Sequence, residues 1–266
     1  MVFYANCKIN LGLKITAKRA DGFHNIETII YPINFSDIIE IVPSNKFSIT
    51  FSGLKISGNV SENLCVKAFQ LLKYLYDIPN VKIHLHKIIP MGAGLGGGSS
   101  DASFVLKSLN STFKLNLDNN LLKNLSSKLG SDCPFFIDNI PTLASGVGTS
   151  LKEISLDLRG YFVALLLPKI HISTAEAYSA ISKYSESYNF DFINVNKINL
   201  WKEDLINDFE LGIFSKYPEL EKLKYRLYDS GAIYASMSGS GSAIFGIFKS
   251  LPELNFYDVE YKIIAL

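Results

Sequence analysis

The chain has 266 residues, 48% of them hydrophobic and 19% charged, with a formal net charge of +1 at pH 7. That length buries a substantial core as one large domain or two modest ones, and the composition is globular, neither disordered nor fibrous. A near-neutral balance offers no general field for nucleic acid or an anionic membrane. Cys7, Cys65 and Cys133 are odd in number, widely spaced and form no C-x-x-C, so a disulfide framework is not expected and a reducing cytoplasm is. The first residues, Met1-Val2-Phe3-Tyr4-Ala5-Asn6-Cys7-Lys8, lack a signal-peptide layout. The apolar run Tyr161 to Pro168 suits a buried strand and is too short for a membrane span.

In chain order, residues 1 to about 60 alternate in short strand-like pieces, such as Ile38 to Val42 and Phe47 to Phe51. Ser61 to Tyr76 reads as a helix, with Leu64, Ala68, Leu71, Leu72 and Leu75 on one stripe. Val81, Ile83 and Leu85 alternate with Lys82, His84 and His86, the period of a strand with one buried face. A glycine-rich loop follows, then Ala102, Val105, Leu106 and Leu109 at helical spacing, with Ser99, Ser100 and Asp101 where cap and first-turn residues belong. Leu121 to Leu129 predicts a further helix leading to Gly130 and Asp132. The second half predicts a strand over Tyr161 to Leu167, a helix over Thr174 to Lys183 and a looser polar connection over residues 185 to 199. Pro218 opens a helix that stops at Gly231, and strands over Ala232 to Ala235 and Ala243 to Phe248 bracket the loop Ser238 to Ser242. Strands and helices mixed without a strict βαβα beat predict an α+β protein. The boundary is expected near residue 155.

Pro90-Met91-Gly92-Ala93-Gly94-Leu95-Gly96-Gly97-Gly98-Ser99-Ser100 is the most informative stretch. Glycines let a loop turn its backbone N–H groups inward, and the helix start behind it adds unpaired N–H groups and a positive dipole end. A polyphosphate is the ligand that fits best. The segment lacks the lysine of a Walker A loop, since Gly98 is followed by Ser99. Gly92, Gly94 and Gly97 satisfy G-x-G-x-x-G, yet they come about ninety residues into the chain, and the nearest later acidic residue, Asp118, lies in a polar run rather than at a strand end. An ordinary structural turn would need one or two glycines, not five.

The string from Pro90 to Ser103 resembles the ATP-binding motif of the GHMP kinases, the superfamily of galactokinase, homoserine kinase and mevalonate kinase. Residues 5 to 24, with Lys8-Ile9-Asn10 and Arg19-Ala20-Asp21-Gly22-Phe23-His24, and residues 130 to 136, Gly-Ser-Asp-Cys-Pro-Phe-Phe, resemble the branch whose acceptor is 4-diphosphocytidyl-2-C-methylerythritol. Met237 to Ser242 resembles the third GHMP motif, so the similarity runs from residue 5 to residue 246. Cys7 stands where Ala is common and Phe23 where Tyr is common, which leaves an aromatic face but removes a hydroxyl. The resemblance implies a two-domain GHMP kinase fold, with an ATP-binding and catalytic domain over 1–155 like ribosomal protein S5 domain 2. It implies a substrate-side α/β-sandwich domain over 156–266. It further implies ATP-dependent phosphorylation of the acceptor's 2-hydroxyl, giving the 2-phosphate and ADP in the non-mevalonate isoprenoid route, with Mg²⁺ as the metal.

Phosphoryl transfer to a hydroxyl needs positioning, charge neutralisation and a group to receive the proton. On the residues alone, Asp132 is a turn or N-cap aspartate and Lys8 a solvent-facing lysine on an apolar strand; the resemblance makes Asp132 the base and Lys8 its cationic partner. The Pro-Phe-Phe run after Asp132 would desolvate it. Residues 90 to 98, Ser99 and Ser100 are assigned to the nucleotide, with Asn63 and Lys67 near it; the two serines are candidates for phosphate or Mg²⁺, or simply caps. The metal ligands are not readable. Asp21, Phe23 and His24 resemble a cytosine-recognition segment, and Asn10, Thr174 and Tyr178 are further acceptor-side candidates. Phe23 would stack on the base and His24 hydrogen-bond its edge, although without the resemblance the segment is a plain loop. His84 and His86 share a strand face but have no third zinc ligand nearby. Rival readings are another GHMP acceptor, such as homoserine or mevalonate, and a nucleotide-binding module without turnover. The partner is a small molecule, with no nucleic acid or membrane, and the oligomeric state stays open between monomer and weak homodimer.

Overall fold

The computed structural model describes residues 1–187 and 195–266, so residues 188–194 of the expected loose connection lie outside the described residues. By packing, the chain divides into two compact units of three segments each. One is Met1–Cys7, Phe35–Met91 and Gly96–Ile140; the other is Lys8–Asn34, Gly92–Leu95 and Pro141–Leu266. A single cut near residue 155 does not describe this packing, because the first hairpin and the middle of the glycine loop go with the second unit.

That hairpin is formed by β1 (Val2–Lys18) and β2 (His24–Pro43), 17 and 20 residues long. The short pieces expected over residues 1 to 60 are replaced here by two long strands, which run through Asn10, Gly12, Asn25 and Asn34. Ladder pairing carries the strands across those residues.

In the first unit, the end of β2 pairs antiparallel with β4 (Val81–Lys87), Ile39 opposite Leu85 and Ile41 opposite Ile83. On its other edge β4 pairs in parallel with β3 (Ser48–Gly53). The apolar face of these strands packs on α1 (Leu64–Tyr76) and α2 (Gly97–Thr112): Ile39, Ile41, Val81, Ile83 and Leu85 meet Ala68, Phe69, Leu72, Val105, Leu106 and Leu109. Helix α3 (Asn119–Ser127) starts two residues ahead of the expected Leu121, because Asp118 accepts the Leu121 N–H at 2.8 Å and caps it. The short α4 (Phe135–Asp138) closes the unit's helical layer.

In the second unit, the start of β2 pairs antiparallel with β5 (Thr142–Gly146), which pairs with β6 (Ser150–Glu153). A separate antiparallel sheet has the order β10-β7-β9-β8, from β7 (Phe162–Leu167), β8 (Tyr234–Met237), β9 (Ile244–Phe248) and β10 (Glu260–Ala265). Strand β10 was not anticipated; it is an edge strand without full alternation of burial. Helix α5 (Thr174–Ser179) is shorter than expected, ending where Ala180 packs against Gly212: a Cβ added there would lie 2.6 Å from the Ala180 Cβ. After α6 (Trp201–Asp204), helix α7 (Phe209–Lys216) carries that glycine and had no sequence signal, whereas α8 (Pro218–Asp229) follows the Pro-to-Gly punctuation. Its Leu220, Leu223 and Leu227 pack in one core with Ala164, Leu166, Ile244 and Phe248 of the sheet, and with Leu13 and Ile15 from β1. Among the described residues no helix is long and apolar enough to cross a membrane.

Candidate active site

The glycine loop leaves β4 and runs directly into α2. Gly92, Gly94 and Gly96 take left-handed φ values of 67°, 75° and 68°, and such left-handed residues at every second position let neighbouring N–H groups converge on an anion. Helix α2 starts at Gly97, two residues before the serines expected to cap it; its N-cap is Gly96 and no side chain caps it. The N–H groups of its first turn are therefore left without a side-chain cap, at the positive end of a 16-residue helix. Ser100 is fully buried and donates its hydroxyl to the Asn6 carbonyl at 2.6 Å. Through this bond its side chain anchors the first turn of the helix to β1. Ser99 is half-buried on the same turn.

Asp132 lies half-buried in the turn between α3 and α4, within the same unit as α2. The turn is closed by the Cys133 N–H donating to the Gly130 carbonyl at 3.2 Å. It packs on the start of α2: a Cβ added to Gly130 would lie 3.7 Å from the Ser99 Oγ, and Ser103 donates its hydroxyl to the Cys133 carbonyl at 2.8 Å. Burial pushes the Cys133 thiol up to about 11, so it is an inert packing group. Phe135 and Phe136 are fully inside, edge to face at 5.0 Å, and fix the far side of the turn.

Lys8 belongs to the second unit, and it is buried rather than solvent-facing. Its ammonium donates to Asn10 Oδ1 at 2.6 Å and to the Gly94 carbonyl at 2.9 Å. Asn10 in turn donates to Thr28 Oγ1 at 3.0 Å. The Gly94 carbonyl also accepts from Ser238 Oγ at 2.9 Å, and that hydroxyl accepts the Asn10 backbone N–H at 3.3 Å. The third-motif loop thus locks both the glycine loop and the strand bearing Lys8. Asn207 and Glu210, which the sequence reading missed, hold that loop from behind. Asn207 Nδ2 donates to the Met237 and Gly239 carbonyls, both at 2.8 Å, and Glu210 Oε1 accepts the Met237 N–H at 2.8 Å. The signal available was the run Asn207-Asp208-Phe209-Glu210, three polar groups around an apolar one, each of which proves buried or bonded to backbone. His171 is a further residue not singled out: its ring lies 2.7 Å from a Cβ built on Gly92.

Of the acceptor-side candidates, His24 and Tyr178 come together, their rings stacked at 4.5 Å and 16°. Tyr178 is held from its other side by Phe209, edge to face at 5.0 Å. Phe23 is 65% exposed at the tip of the first hairpin, and Asp21 beside it is paired with Arg19 at 2.8 Å and accepts the Phe23 N–H at 3.1 Å. Thr174 is exposed in the first turn of α5, whose cap is Ser173.

In the first unit, Pro90 is half-buried and Met91 exposed ahead of the glycines, Asn63 caps α1 by accepting the Cys65 N–H at 2.9 Å, and Lys67 pairs with Glu62 at 2.5 Å. His84 bonds Thr50 and Ser52 at 2.8 Å and His86 bonds Ser52 at 2.8 Å, a ladder across β3 and β4 rather than a solvated face. Among the described residues no group of three or more His, Cys, Asp or Glu side chains is placed to hold a metal.

Comparison with known proteins fits this arrangement. The GHMP kinases N terminal domain matches residues 63–147 and the GHMP kinases C terminal domain matches residues 186–256. The chain is 47% identical to a 4-diphosphocytidyl-2-C-methyl-D-erythritol kinase of Bacteroides thetaiotaomicron, covering 96% of both chains. It is 49% identical to the kinase of the same description from Azobacteroides pseudotrichonymphae, covering 94% of both. A crystal structure of a 4-(cytidine 5'-diphospho)-2C-methyl-D-erythritol kinase superposes with a TM-score of 0.80 at 33% identity, over 92% of this chain and 89% of that one. Mevalonate kinase of Methanococcus jannaschii shares the fold at 15% identity, with a TM-score of 0.69 over 100% of this chain and 98% of that one. With relatives this similar along nearly its whole length, the chain belongs to the GHMP kinases, and within them to the ATP-dependent 4-diphosphocytidyl-2-C-methyl-D-erythritol kinase family.

Proposed function

We propose that the chain moves the terminal phosphoryl group of ATP onto the 2-hydroxyl of 4-diphosphocytidyl-2-C-methyl-D-erythritol, with Asp132 as base and Lys8 as cation. The observation that carries this reading is the uncapped start of α2 behind three left-handed glycines, with the Asp132 turn packed against Ser99. Backbone N–H groups of the glycine loop and the first turn of α2 bind the ATP phosphates. Asp132 takes the proton of the acceptor hydroxyl as its oxygen bonds to the γ-phosphorus. The bond from that phosphorus to the bridging oxygen breaks, and ADP leaves. Lys8 offsets the negative charge that builds on the moving group. Transfer is direct, with no phosphoenzyme. Ser99, a half-buried hydroxyl on the first turn of α2, would help hold a magnesium ion, which would supply further charge neutralisation.

We assign the cytosine to the stacked pair His24 and Tyr178 and to Phe23, with Asn10, Asp21 and Thr174 as further acceptor-side residues and Asn63 and Lys67 on the nucleotide side. In the family's sense, residues 1–155 are the ATP-binding and catalytic domain and residues 156–266 the substrate-side domain. The matched segments 63–147 and 186–256 fall on either side of that boundary.

The test is ADP release from Mg·ATP with the cytidylyl acceptor, beside homoserine and mevalonate, in wild type and Asp132→Asn. Turnover with the cytidylyl acceptor alone, reduced about 10²- to 10⁴-fold in the variant, is the expected result. Turnover with another acceptor overturns the cytosine assignment. An Asp132→Asn protein as fast as wild type overturns the base.

A further inference from the structure

Lys87 is out of place by pattern. It falls on the same parity of β4 as Val81, Ile83 and Leu85, so its side chain enters the core, where only 2% of it is exposed. Two carboxylates meet it there. Asp37 of β2 is fully buried and paired with the Lys87 ammonium, and Asp101 of α2 is 2.8 Å from it. Burying three charges in a domain core carries a large desolvation cost, and apolar side chains of similar volume would commonly stabilise a core as well or better. Stability alone therefore gives no reason for this cluster to be ionic.

Its connections point elsewhere. Asp37 Oδ1 accepts the backbone N–H of Ile88 at 2.5 Å and of Ile89 at 2.8 Å, the two residues between β4 and Pro90. Asp101 stands one turn inside α2, on the far side of the glycine loop. The ammonium lies directly behind the first residue of that helix: a Cβ on Gly97 would be 3.0 Å from Lys87 Nζ. One cation thus ties the strand that enters the loop to the helix that leaves it.

We propose that Lys87, held between Asp37 and Asp101, is a positioning residue that preorganises the glycine loop for the phosphates of ATP. The proposal rests on the nucleotide reading above. A loop whose two ends are pinned loses less conformational freedom when the nucleotide binds, so the pin shows in ATP affinity rather than in the acceptor's. Lys87 does not touch the nucleotide in this account; it acts through the backbone of Ile88, Ile89 and Gly97.

The test is steady-state kinetics with ATP and the acceptor varied separately, beside equilibrium binding of ATP, in the full chain. Lys87→Met alone leaves two carboxylates facing each other and is liable to misfold. The charge-balanced Lys87→Met/Asp101→Asn double variant avoids that, and its melting curve shows that it is folded. The double variant is expected to raise KM and Kd for ATP about tenfold with KM for the acceptor unchanged. Asp101→Ala should weaken ATP in the same way, while Asp101→Asn, whose amide oxygen still accepts from Lys87, should restore it. A folded double variant with wild-type ATP affinity overturns the proposal, as does an equal rise in both KM values. Absence of ATP binding by the wild type would instead strike the nucleotide reading itself.

Discussion

An alanine at position 94 would place its Cβ 1.9 Å from the Ser238 carbonyl oxygen, on a residue that already needs a φ of 75°. Both the close approach and the left-handed backbone exclude a side chain. Gly94→Ala is therefore expected to abolish measurable ATP binding, read by calorimetry, while the far-UV spectrum stays that of a folded protein. A second prediction concerns Asp101. Burial pushes its carboxyl from 3.8 up to about 7, against the downward pull of Lys87. A group that holds its proton more tightly when folded favours folding most at low pH. That contribution is complete below about pH 4 and is lost as the pH rises through about 7. Denaturant titrations at pH 5 and pH 8 should show wild type losing stability at the higher pH by more than Asp101→Asn does. The Asp101 position was legible in the sequence as part of the glycine motif, but its partner was not. Lys87 ends a strand whose other polar residues face outward, and only the register of β4 shows that it falls on the inward parity.

Helix α2 shows where reading by element succeeds and where it fails. Its existence, its apolar stripe and its place behind the glycine loop followed from spacing, since Ala102, Val105, Leu106 and Leu109 are indeed the buried face. Its start was misplaced because cap rules look for a side-chain oxygen, and Gly96 has none. A helix that begins on a glycine gives that rule no side-chain oxygen to find. Strand β9 was legible from its apolar run, whereas β8 begins at Tyr234, two residues after the expected Ala232, and the supports of the loop between them, Asn207 and Glu210, come from a stretch of chain with no period to read. At this scale the prediction is on Ser238. Ser238→Ala removes the bond to the Gly94 carbonyl that Lys8 shares. It should cost about 1 kcal/mol of stability in a urea melt and lower kcat more than it weakens ATP. A variant with full kcat would show that Lys8 and Gly94 hold each other without the third-motif loop.

Across the whole molecule, each compact unit is assembled from three stretches of chain, and β1 and β2 contribute to both. Length and composition allowed one domain or two, and the resemblance implied two, but neither shows this interleaving, because pairing partners far apart in sequence leave no local mark. Leu13 and Ile15, 4% and 0% exposed, belong to the core built by β7, α7 and α8. Burying side chains of this kind is worth about 1.5–3 kcal/mol each. A fragment of residues 156–266 lacks both, and it also lacks β5 and β6. It is expected to give a poorly dispersed proton spectrum and no cooperative melt, whereas adding residues 1–34 as a separate peptide should restore part of both. A fragment that folds alone would show that the β7 to β10 sheet and its helices suffice.

The same hairpin has a consequence during synthesis. The first unit has all its residues once Ile140 has left the ribosome, but the second recruits Leu13 and Ile15 to partners as late as Phe256. At roughly 5–20 residues per second, the interval from Ile140 to Phe256 is on the order of five to twenty-five seconds. Throughout it a long apolar strand pair waits for its covering, a nascent surface that a chaperone at the exit tunnel would be expected to hold.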